Sequence, residues 1–571
     1  LKRPTARPHP TTSLDLRPTN ITGMSSTVEH HYLLGTTLIT LFAIAATYAI
    51  AVRAHFLHRV RDIPGPRYSF WLGSIAHMAG GEGKPSFYTQ RHRFLRELHK
   101  AYGPVAKLVL PFGRGVLLCF ADAASAERDL FKDTVAFNRR PNQNSAMPKG
   151  LFALPTGAMW RAHRQALVAS LSSGALRAYH ESIVSRAHKM AAHMDASARA
   201  DAHADVEVLH PLVATTLDVI GDIGFGVDFG ALAAHECPYT DAGSAILNAS
   251  IAMLAVPSPL VKAIRALPGS LQPKSQSLMR DGLKLYAHTA RGLYERALAS
   301  KSPSAAKGGN ADELTMDATA TTAGAKAHGS LLAALAQARL PFDEACDEII
   351  SLMIAGHETT ANTLSWALHL LAHAPAEQAR LRALVDRVIG TDGAMEYEHV
   401  AQLGPVRDAF YEALRLFPTV PSVGRMCTRQ TEVNGVRVPR GALCIHSIAA
   451  AARDPEVFGT DADEFRPARH AEASGVLWHP FGGGPRKCLG YRLAELEAVT
   501  ILAIVLRRFE LSPPGNPESA APEEYTDVTL GPKRSGLRVH LRARAYGDAF
   551  GGGKGSPART DGATSSWAAA A

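Results

Sequence analysis

The feature that most constrains this 571-residue chain is a glycine-rich segment that carries one cysteine. It reads Phe481-Gly-Gly-Gly-Pro-Arg-Lys-Cys488-Leu-Gly490 and directly precedes a helical pattern. Backbone N–H groups, an arginine and a helix N-terminus all stabilise a thiolate, the form of cysteine that binds a metal. Glycines also let the backbone approach a large flat group that side chains would block. The segment therefore predicts a loop in which Cys488 holds a metal, and the alternative is a structural cysteine beside a tight turn.

Composition indicates a large globular protein with ample core. The chain is 46% hydrophobic and 20% charged, and its formal net charge is +9. This mild excess suits a membrane surface or an acidic protein partner, and without a nucleic-acid motif we expect no nucleic-acid partner. The six cysteines include no CxxC pair, which argues against a disulfide framework or a zinc ribbon and favours a reducing compartment.

A stretch of twenty residues without charge, at 33–52, is long enough for one membrane crossing. Arg53, Arg59 and Arg61 follow it, and this bias predicts a single-pass anchor that leaves the rest of the chain in the cytosol. Threonine and alanine make the stretch only moderately hydrophobic, so a cleavable signal peptide is the alternative.

The predicted anchor is followed by a linker and preceded by an N-terminal extension. A basic linker with a stiff proline hinge, Ile63-Pro-Gly-Pro66, is predicted over 53–69. Residues 1–32 form an N-terminal extension. We interpret its first part, which precedes Met24, as an upstream gene-model segment, with a transit peptide as the alternative.

Residues 70–545 are predicted to form one catalytic domain that is mainly α with a minor β-sheet region. Residues 301–328 lack apolar periodicity and indicate a disordered insertion, and 546–571 indicate a disordered tail. Asn-Gly within Glu432–Val438 predicts a hairpin with a type I′ turn. A further strand is expected near Leu537–Leu541.

The segment Asp343–His373 predicts one long helix, apolar nearly all round in its second half, as is typical of a buried central helix. Near its centre stands Ala355-Gly-His-Glu-Thr-Thr360. A glycine is poor helix material that can admit a flat ligand, and a threonine hydroxyl can bond back to a carbonyl. A capping or core Glu-Thr pair is the alternative, and His357 is interpreted as a packing residue.

Two shorter patterns pair charged side chains on helices. Glu412 and Arg415 stand at i, i+3 on one helix face, where they can form an ion pair. Trp160 and Arg164 are N–H donors one helical turn apart, although ordinary helix packing would also account for them.

Taken in order, these segments resemble the motifs of the cytochrome P450 family, the haem-thiolate monooxygenases. The anchor and proline hinge resemble those of its membrane-anchored, microsomal eukaryotic members. The matching segments are WxxxR at 160–164, AGxET at 355–359, ExxR at 412–415, FxPxR at 465–469 and the cysteine loop at 481–490.

The resemblance implies the cytochrome P450 fold, with haem b between the long central helix and the cysteine loop. Cys488 would be the axial ligand of the iron, and Phe481 would shield its thiolate. Haem brings two carboxylates that need partners when buried. The residues expected to hold them are Trp160, Arg164, Arg425 and Arg486.

The resemblance also implies roles for the remaining motif residues. Glu358 would be the acid and Thr359 the alcohol of the catalytic pair that delivers protons during O₂ cleavage. Glu412, Arg415 and Arg469 would form a buried structural network behind the haem.

The implied function is insertion of one oxygen atom from O₂ into a lipophilic substrate, with electrons from NADPH through a reductase and cytochrome b5 as an optional further partner. Such an enzyme would lie in the endoplasmic reticulum membrane with its catalytic domain in the cytosol. A reductase-independent haem-thiolate isomerase or dehydratase is one alternative, and a non-catalytic haem sensor is another. The stretches expected to line the substrate pocket are 142–154, 225–260, 419–424 and 528–531. Their residues are apolar or small, so a lipophilic substrate is expected.

Overall fold

The computed structural model describes residues 22–111, 115–139, 146–200, 205–234, 237–252, 258–299, 330–390, 393–472, 478–515, 524–526, 529–532 and 537–544. The predicted insertion at 301–328 and the predicted tail at 546–571 lie outside these ranges. Residues 1–21 of the predicted N-terminal extension also lie outside them.

Helices are the main elements of the described ranges, and this confirms the predicted mainly α fold with a minor β-sheet region. In chain order they are α1 (Thr22–Arg59), α2 (Ile75–Ala79), α3 (Arg91–Tyr102), α4 (Ala123–Ser125), α5 (Ala158–Val168), α6 (Ser173–Ala200), α7 (Leu209–Ile220), α8 (Pro238–Ala252), α9 (Ser258–Ala266), α10 (Lys274–Ala299), α11 (Leu331–Ala338), α12 (Phe342–Ala372), α13 (Pro375–Ile389), α14 (Tyr397–Gln402), α15 (Gly404–Leu416), α16 (Ile448–Ala451), α17 (Pro455–Phe458), α18 (Arg469–Glu472) and α19 (Tyr491–Arg508). Turns of π-helix occur at Ala126–Phe131 and Gly221–Phe225, and turns of 3₁₀-helix at Ala169–Leu171, Gly269–Leu271 and Gly484–Arg486.

The strands are short and form small sheets. They are β1 (Val105–Val109), β2 (Val116–Phe120), β3 (Phe137–Asn138), β4 (Val206–Glu207), β5 (Val423–Cys427), β6 (Thr431–Val433), β7 (Val436–Val438), β8 (Leu443–His446), β9 (Phe509–Ser512), β10 (Glu524–Thr526), β11 (Leu530–Pro532) and β12 (Arg538–Ala543). The largest sheet has the order β1-β2-β8-β5-β3, in which β2 and β8 are the parallel pair. A second sheet has the order β4-β12-β9, and β6–β7 and β10–β11 are hairpins.

Two local strand predictions are confirmed. Asn434 and Gly435 join β6 to β7 with φ angles of 50° and 71°, the left-handed conformation that a type I′ turn needs at both positions. The strand expected near Leu537–Leu541 is β12, which pairs with both β4 and β9.

The predicted central helix is α12, whose ends differ from the predicted ones by a single residue. Asp343 and Glu344 lie in its first turn, where negative charge is favourable beside the positive end of the helix dipole. Every residue from Thr360 to Leu368 is buried, as the apolar pattern of the second half predicts.

The two halves of α12 belong to different apolar cores. Ile349 and Met353 pack in a core with α7, α8 and α10, whereas Leu364 and Trp366 pack in a core with α13, α15 and α19. The Trp366 ring stacks on Phe417 with 4.1 Å between the ring centroids. Residues 355–360 belong to neither apolar cluster, so this segment lies where the two cores meet.

The predicted anchor forms the middle of α1, which continues through the first part of the predicted linker. Its last turns contact the large sheet: Arg53 Nη2 donates to the Leu110 carbonyl at 3.1 Å. Lys107 Nζ donates to the carbonyls of Val60 and Arg61, both at 2.8 Å, and so satisfies groups that a helix end leaves unpaired. None of the helices in the described ranges has the length and hydropathy needed to cross a membrane, and the spanning anchor at 33–52 stays a prediction.

A buried ionic network connects α15 to the chain that precedes the cysteine loop. Arg415 donates to both carboxylate oxygens of Glu412, at 2.8 Å each, and Arg469 Nε donates to one of them at 2.9 Å. His470 Nε2 lies 2.9 Å from the other oxygen. Burial alone would raise the pKa of Glu412, but these hydrogen bonds and the charge of Arg415 lower it to about 2. The structure thus brings together the three side chains predicted to form this network.

We expect the substitution Glu412→Gln to destabilise the folded protein by about 3–5 kcal/mol, because it leaves two buried guanidinium groups without their shared counter-charge. Denaturant unfolding monitored by circular dichroism measures this loss. Glu377→Gln is the matched control, since Glu377 pairs with Arg380 at the same i, i+3 spacing on a solvent-exposed surface, and it should cost less than about 1 kcal/mol. Equal losses would contradict a special role for the buried network.

The network also predicts acid sensitivity. Because the pKa of Glu412 falls from an ordinary 4.5 to about 2, its stabilising contribution is present above pH 4.5 and is lost as the pH falls towards 2. The difference in unfolding free energy between wild type and Glu412→Gln should therefore shrink over that interval.

Candidate functional site

The cysteine loop runs from Phe481 through a 3₁₀ turn into α19. The Cys488 amide donates to the Phe481 carbonyl at 2.9 Å, which closes the loop on itself. From α5, Arg164 Nη2 donates to the carbonyl of Lys487 at 3.0 Å. The predicted residues Phe481, Arg164 and Cys488 are therefore brought together at one point of the fold.

Cys488 differs from the other cysteines of the chain. The other five are buried, whereas its side chain is exposed. Desolvation nevertheless raises the pKa of its thiol, opposed by a hydrogen bond from the Gly490 amide and by the charges of Arg164 and Lys487. A side chain can be accessible and still poorly solvated when protein surrounds the space that it faces. The accessible sulfur and the nearby positive charge suit a thiolate ligand, whereas the poor solvation favours the neutral thiol as long as no cation is bound.

Two glycines of the loop, Gly483 and Gly484, face protein. A Cβ atom on Gly483 would lie 2.4 Å from the Phe131 ring, and one on Gly484 would lie 2.3 Å from the Phe131 carbonyl oxygen. Gly484 also has a φ of +60°. These two glycines therefore let the loop pack against the π-helical turn that ends at Phe131. Gly482 and Gly490 have open space where a Cβ would be, so the expected approach of loop glycines to a flat ligand stays a prediction. The Phe481 ring lies between Tyr411 and Tyr491, with centroid distances of 6.0 and 6.1 Å.

The residues of the central α12 motif contact their own helix, the strand region at Thr529 and helix α7. Thr359 Oγ1 donates to the Ala355 carbonyl at 2.9 Å, the back-bond that a helical threonine can form. Glu358 Oε1 accepts from Thr529 Oγ1 at 3.1 Å. A Cβ on Gly356 would lie 2.9 Å from Ile220, so this glycine allows close packing of α7 on α12.

His357, in the same motif, is fully buried and turns away from these groups. Its Nδ1 lies 2.8 Å from the Met353 carbonyl oxygen one turn earlier in the helix. Burial lowers the pKa of the imidazole. This environment agrees with the interpretation of His357 as a packing residue.

Several arginines converge next to the loop. Arg486 lies 4.5 Å from the centroid of the Trp160 ring and donates to Thr156 Oγ1 at 2.7 Å. Burial and the charges of Arg139, Arg425 and Arg164 lower the pKa of Arg486 to about 9. Burial and the charge of Arg139 lower the pKa of Arg425 to about 10. Within the described ranges, no carboxylate forms an ion pair with Arg139, Arg425 or Arg486.

Arg139 is a member of this cluster that sequence reasoning missed. Burial lowers its own pKa to about 10. Its sequence signal is an Arg-Arg pair after Phe137–Asn138, and such pairs are usually solvated. The convergence arises because β3, which precedes Arg139, pairs with β5, which carries Arg425.

His163 is a second residue that the motifs did not reveal. Its Nδ1 lies 2.7 Å from Glu348 Oε1 and its Nε2 lies 2.9 Å from Glu344 Oε2. Burial opposes a charge on the imidazole, but hydrogen bonds to the two carboxylates outweigh it and raise the pKa of His163. Burial raises the pKa of Glu348 as well. The cluster attaches α5, which carries Trp160 and Arg164, to α12.

Known proteins match this chain over most of its length. The family model described as Cytochrome P450 matches residues 64–539. Mouse cytochrome P450 3A11 is 24% identical over 492 residues, which cover 84% of this chain and 91% of that protein. Cytochrome P450 4d2 of Drosophila melanogaster is 27% identical over 505 residues, covering 85% of this chain and 95% of that protein.

A bacterial relative matches at similar identity. The bifunctional cytochrome P450/NADPH–P450 reductase 2 of Bacillus subtilis is 28% identical over 363 residues, which cover 62% of this chain and 31% of that much longer protein. Because animal and bacterial proteins both match, the comparison does not single out the microsomal type. The family match includes the cysteine loop, the α12 motif and the arginine cluster. The chain therefore belongs to the cytochrome P450 family and is a haem-thiolate monooxygenase.

Proposed function

We propose that this monooxygenase takes electrons from NADPH through a reductase and inserts one atom of O₂ into a lipophilic substrate. The observation that carries the proposal is an accessible thiol, that of Cys488, in the same loop as Arg486. Arg486 clusters with Arg139 and Arg425, and these half-buried arginines form no ion pair with a carboxylate of the described ranges. The intact Glu358-Thr359 pair in α12 favours O₂ chemistry over peroxide rearrangement.

The residues of the site fit haem b. Half-buried arginines that repel one another are stabilised when anions join them. Haem supplies two carboxylates, and Arg139, Arg425 and Arg486 would hold them, with Trp160 against the Arg486 guanidinium. Cys488 would bind the iron through its thiolate. When bound, the haem supplies the binding and cleavage of O₂.

The protein side chains would manage protons around that chemistry. Glu358 has a carboxyl group that can hold and release a proton, and the Thr359 hydroxyl can pass one on from Oγ1. Both are half-buried where the two cores meet, so their orientation is set by packing. Arg164 would keep the loop in register through its bond to the Lys487 carbonyl.

An exposed basic surface beside the cysteine loop supports the reductase as partner. Arg161, Lys487 and Arg492 are exposed, and Arg164 is half-buried next to them. Such a surface suits an acidic docking face on an electron donor, and cytochrome b5 would be a further donor of this kind. The Bacillus subtilis relative joins a cytochrome P450 to an NADPH–P450 reductase by name.

We also propose attachment to the endoplasmic reticulum membrane through α1, as in the microsomal type, with the catalytic domain on the cytosolic side. Leu41, Ile44 and Tyr48 of α1 are 57%, 61% and 72% exposed. A helix that displays apolar side chains to water gains by burying them in a lipid interface.

The test of the proposed reaction is oxygen incorporation. With NADPH, a cytochrome P450 reductase and a panel of lipophilic compounds, label from isotopic O₂ should appear in product. Turnover of a hydroperoxide without NADPH, and no incorporation with it, would identify an isomerase instead.

Cys488→Ala is expected to abolish the red-shifted Soret band of the reduced, carbon monoxide-bound protein, because alanine offers no thiolate. Cys346→Ala is the control, since Cys346 is buried in a core and should leave the band unchanged. Survival of the band in Cys488→Ala would remove Cys488 as the ligand.

Arg425→Leu is expected to change stability in opposite directions with and without haem. The haem-free protein should gain on the order of 1 kcal/mol, because one of several mutually repelling buried charges is gone. The loaded protein should release haem to apomyoglobin about tenfold faster, because a carboxylate partner is lost. Arg429→Leu, at an exposed pair with Asp133, should do neither. Unchanged haem release would contradict the assigned role of Arg425.

Ile44→Asp and Tyr48→Asp should each weaken binding to phosphatidylcholine vesicles, measured by flotation, because a charge opposes insertion at the interface. Val457→Asp changes an exposed apolar residue in α17 and should leave binding unchanged. If the wild-type protein does not float with vesicles, the attachment proposal is wrong.

A further inference from the structure

The hairpin β10–β11 carries a threonine that contacts the central helix. Thr529 is 7% exposed, and its hydroxyl donates to Glu358 Oε1 at 3.1 Å. The amide Nδ2 of Asn362, one turn beyond Glu358 in α12, lies 3.5 Å from the same hydroxyl oxygen. From sequence, Thr529 belonged only to a stretch expected to line the substrate pocket.

The direction of these bonds matters. A threonine hydroxyl has one proton to donate and lone pairs that accept. Because the Asn362 amide occupies the accepting side, the proton of the Thr529 hydroxyl is directed to Glu358. A glutamate side chain has three rotatable bonds, and a fixed donor restricts where its carboxyl group points.

The hairpin that carries this donor is held at several points. The Leu530 amide donates to the Thr419 carbonyl at 2.8 Å, and the Thr419 hydroxyl lies 2.7 Å from that of Thr363 on α12. A Cβ on Gly531 would lie 2.8 Å from Asn362 Oδ1, so only glycine permits this close approach.

The other end of the hairpin is also held. Glu524 forms a hydrogen bond with the buried imidazole of His92 and an ion pair with Arg93 at 2.7 Å, and both partners lie on α3. Burial on its own would raise the pKa of Glu524, but these two partners lower it to about 2. The position of the Thr529 hydroxyl is thus set by contacts on both sides of the hairpin.

We propose that Thr529 is a positioning residue that orients the Glu358 carboxyl group for proton delivery beside Thr359. This inference rests on the proposed monooxygenase function. Thr529 acts through Glu358, so its loss should matter only when the carboxyl group is present. A residue that only lined the pocket would instead change substrate affinity whether or not Glu358 is present.

The experiment combines Thr529→Val, which removes the hydroxyl at constant shape, with Glu358→Met, which removes the carboxyl group at similar size. Loaded enzyme with reductase and NADPH is assayed for the ratio of hydrogen peroxide to product. We expect Thr529→Val to raise that ratio about fivefold or more, and Thr529→Ser to stay near wild type because serine retains the donor. In the Glu358→Met background, Thr529→Val should have no further effect.

Unfolding of the wild type, Thr529→Val, Glu358→Met and the double variant supplies a readout that does not depend on turnover. The destabilisation by Thr529→Val should exceed that by Thr431→Val, a half-buried threonine in the separate hairpin β6–β7. It should fall to the control level when Glu358 is Met, because the acceptor is gone.

Three results would overturn the proposal. These are an equal rise in peroxide with and without Glu358, a change in KM alone, and additive losses in the unfolding cycle. Failure of the wild-type enzyme to consume NADPH with the reductase would instead refute the proposed function. The unfolding cycle would still decide in that case, because additive losses would overturn the contact and non-additive losses would support it.

Discussion

The buried carboxylate of Glu412 accepts hydrogen bonds from two arginines and lies against a histidine, and this interaction holds α15 to the chain that leads into the cysteine loop. Here charge is balanced within the chain. At Arg425 and Arg486 it is not balanced, because burial and neighbouring arginines both oppose their charge. Folding alone therefore completes the Glu412 site, whereas we propose that a bound anion completes the arginine cluster.

The elements that pack against the central helix α12 bring the residues of the candidate site together. Its two halves are embedded in separate cores, and its half-buried motif lies between them. Gly356 allows α7 to approach one side, and Gly531 allows the hairpin to approach near Asn362. His163 attaches the helix that carries Trp160 and Arg164. The hairpin thus brings the Thr529 hydroxyl to α12 and α5 brings the His163 imidazole, each together with a packing surface.

Sequence reasoning succeeded where a signal is local. The limits of α12 follow from apolar periodicity, and Asn434-Gly435 specifies its turn through backbone conformation. It failed where partners are distant, since Thr529 stands 171 residues from Glu358 and His163 stands 185 residues from Glu348. Glycines were also ambiguous, because a missing Cβ admits a helix or a loop as readily as a ligand. At 33–52 the lack of charge predicted a membrane anchor, but no helix of the described residues has the length and hydropathy to cross a membrane.

Arg53 of α1 donates to the Leu110 carbonyl, and Lys107 of β1 donates to the Val60 and Arg61 carbonyls just beyond the end of α1. These bonds have a consequence for how the enzyme would sit on a surface. They replace a flexible tether with a rigid joint, since the last turns of the helix are part of the same hydrogen-bonded unit as the large sheet. A helix of 38 residues extends about 57 Å at 1.5 Å per residue. A surface that binds the N-terminal end of α1 would therefore set the orientation of the catalytic domain relative to that surface as well as its distance from it.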